Sequence, residues 1–114
     1  MPEPRRKIIA YNYEIPAGAD EKKTVYTVRE DKIILRRWVY ISEAGALGYI
    51  WGSLYYGDRK IAPEKGELST DKFVLDVNLD MPFYRGDEVV LRLRNTSNNK
   101  LPVYGFLEFE VEKG

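Results

Sequence analysis

Val103-Tyr104-Gly105-Phe106-Leu107-Glu108-Phe109-Glu110-Val111 alternates along its whole length. Val103, Gly105, Leu107, Phe109 and Val111 fall on one side; Tyr104, Phe106, Glu108 and Glu110 fall on the other. Successive side chains leave a pleated backbone on opposite faces, so a period of two marks a strand with one side in a core. Segment 73–79 repeats the pattern, with Phe73, Leu75, Val77 and Leu79 against Val74, Asp76 and Asn78. Segment 88–94 sets Val89, Leu91 and Leu93 against Glu88, Val90, Arg92 and Arg94. The first half reads alike with less contrast. Ile9, Tyr11, Tyr13 and Ile15 alternate with Ile8, Ala10, Asn12 and Glu14, and residues 23–29 are rich in β-branched and aromatic types. In 32–41, Ile33, Leu35, Val39 and Ile41 share a face that Arg37 interrupts.

Turn-forming residues punctuate these runs at Pro16–Asp20, Glu30-Asp31, Ser42–Gly45, Gly57-Asp58, Pro63–Gly66, Pro82 with Gly86-Asp87, and Asn95–Lys100. Apart from single turns near 42–47 or 68–72, no helical periodicity appears. Many short strands between frequent turns predict an all-β fold, a two-sheet antiparallel β-sandwich of about seven or eight strands, jelly-roll or immunoglobulin-like. Residues 1–114 are read as one domain, with 1–5 as a flexible N-terminal arm. Arg92 and Arg94 on one strand and Glu108 and Glu110 on another carry opposite charge on their polar sides. A hairpin closed by 95–102 would bring them together across a ladder, and that pairing is the expected one over a placement in opposite sheets.

Composition narrows the chemistry. Lys and Arg number 18, Asp and Glu 18, which argues against a nucleic-acid partner held by bulk charge. Cysteine and histidine are absent. The chain therefore offers no disulfide, no thiolate or imidazole ligand, and no general base of the commonest type. Glutamine is also missing while Lys, Glu, Arg and Tyr abound, a composition that resembles a thermophile's. No apolar run approaches a membrane span or a secretory signal, so no membrane insertion is expected.

Specific motifs add little. Gly52-Ser53-Leu54 does not make a nucleophile elbow, and no phosphate-binding glycine loop occurs. Asp76 and Asp80 are candidates by type for paired-carboxylate chemistry, and Asp71, Asp80 and Asp87 for an oxygen-ligand Ca²⁺ site; solvated acids are the simpler reading of each. No enzyme activity and no cofactor is expected. Arg85-Gly86-Asp87 and the formal sequon Asn95-Thr96-Ser97 read as turn chemistry.

The aromatic residues are more informative. Nine Tyr, four Phe and two Trp make 13% of the chain. In 47–56, Tyr49, Trp51 and Tyr55 share one face, Ile50, Leu54 and Tyr56 the other, and two glycines interrupt the run. Trp38 lies beside Tyr40, opposite the Ile33 and Leu35 face. When both faces of a strand are apolar, one packs a core and the other meets a subunit, a ligand or a covering loop. Trp38, Tyr40, Tyr49, Trp51, Tyr55 and Tyr56 are thus the interface or ligand candidates. Core filling is the competing reading for Trp51 and its neighbours.

The stretch from Met81 to Asn95 runs as turn, Gly-Asp, apolar strand, Asn. It resembles a segment of jelly-roll and immunoglobulin-like sandwiches: carbohydrate-binding modules, cupredoxin-like domains, and small β-sandwich virion proteins of tailed phages and archaeal viruses. The stretch Val25–Tyr40 resembles those virion proteins, in which a turn and a strand precede the central aromatic strand. Copper binding of the cupredoxin kind is inconsistent with a chain lacking His and Cys. The resemblance implies a non-enzymatic structural or assembly protein: a viral capsid, capsid-decoration or tail-associated subunit. Its partners would be copies of itself or other structural subunits, and its location the virion, or otherwise the cytoplasm. The alternative is a carbohydrate-binding module that stacks a glycan on exposed Tyr or Trp.

Overall fold

A computed structural model describes residues 5–41, 48–63, 68–69 and 74–111. The strands are β1 (Arg5–Ile15), β2 (Asp20–Thr27), β3 (Lys32–Ile41), β4 (Ile50–Tyr56), β5 (Arg59–Ala62), β6 (Leu68–Ser69), β7 (Val74–Tyr84), β8 (Glu88–Asn95) and β9 (Leu101–Val111). One sheet has the order β1-β9-β3-β7; the other has β2-β8-β4-β5, with β6 also on β4. All pairings are antiparallel. Along the chain β1, β2, β3 and β4 alternate between the sheets, as do β7, β8 and β9, which is the order of a jelly roll. The sandwich expected from the sequence is thus found, and the jelly-roll alternative is the one it takes. Residues 1–4 of the expected arm, the possible helical turn at 42–47, residues 70–72 of the one at 68–72, and Phe73 lie outside the described residues. Leu68 and Ser69 form a strand instead of a helical turn, and Arg5 already belongs to β1.

The expected pairing of β8 with β9 is overturned. β8 lies between β2 and β4, and β9 between β1 and β3. Residues 96–100 cross from sheet to sheet, a gap of about 10 Å that five residues span easily. Asn95 organises this crossing. Buried, it donates from Nδ2 to the carbonyls of Ile15 (3.0 Å) and Asn99 (2.7 Å), while Oδ1 accepts from Ser97 N at 2.8 Å. The charges expected to meet find other partners. Arg92 pairs with Asp20 of β2, Glu108 with Arg6 and Arg37, and Glu110 with Arg36.

The core lies between the sheets. Ile33, Leu35, Trp38, Tyr40, Phe83, Leu107 and Phe109 from one face Ile50, Leu54, Leu91 and Leu93 from the other, all completely buried. Each such side chain contributes roughly 1.5–3 kcal/mol on leaving water. The core-side sets read from 6–15, 88–94 and 103–111 are the observed ones. Strand β3 departs from its reading. A bulge between Leu35 and Arg37 inserts one residue against β9, so the inward positions change from Ile33 and Leu35 to Trp38 and Tyr40. Val39 and Ile41 turn to the outer side, and the interruption seen at Arg37 is this bulge.

A polar chain runs through the packed interior. Trp38 Nε1 donates to Tyr11 Oη at 3.0 Å, and Tyr11 Oη donates to the Val39 carbonyl at 3.0 Å. Burial raises the Tyr11 phenol well above its usual range, so it stays protonated and able to donate. The path exists because residue 105, opposite both Tyr11 and Tyr40, is glycine. A Cβ there would lie 2.0 Å from the Val39 oxygen and 2.8 Å from Tyr11 Oη.

Candidate functional site

The sequence-derived aromatic candidates separate into three groups. Trp38 and Tyr40 are completely buried, their rings 5.6 Å apart in the core. Neither offers a surface, and the cause is the β3 bulge, which local alternation does not reveal. Tyr56 also points inward. It stacks on Phe83 with ring centroids 4.7 Å apart and donates a hydrogen bond to Asp87. The aromatics on the outer side are Trp51 and Tyr55, with Tyr49 in the preceding turn.

Strand β4 places these rings by alternation. Ile50 and Leu54 are buried in the core, and Gly52 leaves room for the Tyr40 ring, which an added Cβ would meet at 3.3 Å. Trp51, Ser53 and Tyr55 therefore lie on the outer side of β4, Ser53 completely buried there, and they pair with Arg94, Arg92 and Val90 of β8. The Arg94 guanidinium lies 5.6 Å from the Trp51 ring centroid, and Lys22 Nζ lies 4.9 Å from that of Tyr55. Arg92 makes two hydrogen bonds to Asp20, at 2.9 and 2.5 Å. The guanidinium beside it holds the Asp20 carboxyl below the ordinary carboxylate range. Cations thus lie against both outward rings. Tyr49 is about half exposed, and its carbonyl accepts from Thr96 N and Oγ1.

The outer side of the β1-β9-β3-β7 sheet was not singled out from the sequence. It has two parts. Toward one end lies an ionic lattice. Glu108 accepts from Arg6 at 2.5 Å and from Arg37 at 3.4 Å; Arg37 also bonds Asp76 through Nε and Nη2, and Arg36 joins Asp80 to Glu110. Arg6, aided by Arg37, lowers the Glu108 pKa, and Arg37 lowers that of Asp76. Toward the other end, the register aligns Ala10, Phe106 and Val39 in one row and Asn12, Tyr104 and Ile41 in the next. Ile8, beside them on β1, is 61% exposed. The signal for this surface was present in 103–111, where Tyr104 and Phe106 occupy the polar side of a strand whose other side is fully apolar.

The acidic candidates serve as ion-pair and turn groups. Asp76 and Asp80 are partners of Arg37 and Arg36. Asp87 accepts from Tyr84 N at 2.7 Å within the turn, and Arg85 pairs with Asp31, so the Arg-Gly-Asp tripeptide is engaged locally. Asp71 lies outside the described residues. Among the described residues no three metal-type side chains cluster, and no helix is long and apolar enough to cross a membrane.

No family model matches the chain, and none of the curated proteins does. Among solved structures it is similar to a chain from the disulfide-linked pili of Bacillus endospore appendages. The identity is 10%, the match covers 96% of this chain and 88% of the other, and the TM-score is 0.46. A family 35 carbohydrate-binding module from Clostridium thermocellum is 9% identical over 90% of this chain and 70% of the module, with a TM-score of 0.36. Likeness at this level carries no inference about function. Virion proteins find no support in sequence similarity.

Proposed function

We propose that this chain is a non-enzymatic structural subunit that associates with further copies of itself through the β1-β9-β3-β7 sheet. The observation that carries this reading is the exposed Ile8 and Ala10 with the half-buried Phe106, Tyr104 and Ile41 around the buried Val39, on the outer side of a sheet whose inner side already fills the core. Contiguous outward apolar groups beside an ordered ionic lattice fit a surface that another subunit covers. The narrower reading, a capsid, capsid-decoration or tail subunit, rests on analogy with the jelly-roll order, which viral and lectin domains share. Sedimentation velocity tests the association. Phe106→Ser should shift the wild-type oligomer toward smaller species without unfolding it; an unchanged distribution would remove this face from the account.

A second reading is supported by Trp51 and Tyr55. They share the outward side of β4 about 13 Å apart, a separation at which two sugar rings of one glycan chain could stack. The cations lying against both rings would have to move aside. Because Trp38 is buried, a change in tryptophan emission on glycan titration would report Trp51. Silent titrations across a glycan panel would eliminate this reading.

A further inference from the structure

The four sheet edges are unequally protected. β7 carries Pro82 and lies against the bulge of β3; β2 has its own register shift between Thr24 and Tyr26; the opposite edge of its sheet is made of two short pieces, β5 and β6. Proline, bulges and brevity are the usual means of blocking strand addition. β1 has none of them. Its 11 residues pair with β9 in unbroken register from Arg5↔Val111 to Ile15↔Leu101, without proline, and no described strand lies on its other side. Lys7, on its core side, is engaged by Glu30 and Tyr26 at 2.7 and 2.8 Å.

We infer that the β1 edge pairs antiparallel with β1 of a second copy, fusing the two four-stranded sheets into one. The inference rests on the self-association proposed above and adds an edge contact to the face contact, since edge pairing leaves the outer row around Phe106 and Tyr104 uncovered. A two-fold axis normal to the sheet keeps outer side chains on the outer face, and one register of this kind overlaps all 11 residues: Ala10 opposite Ala10 of the second copy. That register sets Arg6 opposite Glu14 of the second copy at both ends, Ile8 opposite Asn12, and Ile9 opposite Tyr11. The strand is charge-complementary to its own reverse, basic at Arg5, Arg6 and Lys7 and acidic at Glu14. Both end charges remain accessible: the Arg6 side chain is 73% exposed beside Glu108, and that of Glu14 64% beside Lys100. Full overlap would add about ten backbone hydrogen bonds. The small side chain at the axis lets the two backbones meet unobstructed.

The absence of cysteine allows a direct test by oxidative cross-linking. Residues 10 of the two copies would stand at directly opposed positions, within disulfide reach. Residues 12 would lie about 13 Å apart, beyond it. Both positions are exposed, so Ala10→Cys and Asn12→Cys should fold, as circular dichroism would check. Mild oxidation should convert most Ala10→Cys protein to a covalent dimer of twice 13.3 kDa. Asn12→Cys alone should remain uncrosslinked, but should cross-link when mixed with Ile8→Cys. Equal cross-linking of the Ala10→Cys and Asn12→Cys variants would overturn the inference. So would failure of Ala10→Cys to cross-link while the wild type is oligomeric, which would leave the assembly reading standing. A monomeric wild type would overturn both.

Discussion

The two sides of the β1-β9-β3-β7 sheet use the same strands to opposite ends. On the inner side, Gly105, Tyr11, Trp38 and the Val39 carbonyl fit together with no room for one added carbon. On the outer side, Phe106 and Tyr104 alternate with those core residues on the same β9 and lie partly exposed, next to arginines and acids arranged in a lattice. Close packing determines the inner sequence, and one substitution there propagates through the fold. The outer side leaves Ile8 exposed and Tyr104, Phe106 and Ile41 half-buried, and on the assembly reading proposed above these are the groups a docked subunit would cover.

The largest effect is expected inside. Gly105→Ala forces a methyl group into the Val39 backbone, and should cost about 3 kcal/mol or prevent folding, as thermal melting would measure. A melting point near that of the wild type would contradict the inner packing. Tyr11→Phe should cost about 1–3 kcal/mol in chemical denaturation, because it leaves the Trp38 N–H and the Val39 carbonyl without their partner.

Acid should act next. Burial tends to raise the Glu30 pKa, but hydrogen bonds from Lys7 and Tyr26 outweigh it and bring the group to about 2, against an ordinary 4.5. Asp20, Asp76 and Glu108 are also lowered by their arginines. Groups with depressed folded pKa contribute stability that is complete above their unfolded values and fades as pH falls through the folded ones. The melting temperature should thus be level above about pH 5 and decline toward pH 2. Glu30→Gln should flatten that decline; an unaltered profile would argue against the Lys7–Glu30–Tyr26 contact. The smallest effect on stability is expected on the outer side. Phe106→Ser should change unfolding free energy by about 0.5 kcal/mol while shifting the sedimentation distribution. If stability fell as far as in Tyr11→Phe, the two sides would not differ as described.

Much of this fold is readable in the sequence, because alternation depends only on each strand's own residues. It identifies Ile9, Tyr11, Tyr13 and Ile15, or Val89, Leu91 and Leu93, as core-facing without reference to their neighbours. Strand partners are a different matter. Arg92 and Glu108 invite a hairpin, yet the arginine meets Asp20, 72 positions away, since charge complementarity does not specify which acid. The bulge at Arg36-Arg37 is also non-local, being a mismatch of β3 with β9 and β7. That one inserted residue sends Trp38 and Tyr40 into the core and removes two of the six aromatic candidates from the surface. Phe106 and Tyr104 were visible as misplaced apolar residues on a polar face, but only the register across β1, β9 and β3 turns them into a patch.

Self-association is the central claim, and the mass of the unmodified chain in solution tests it most directly. Light scattering over a concentration series should give a mass of at least twice 13.3 kDa that falls on dilution. A constant 13.3 kDa at every concentration would contradict the account.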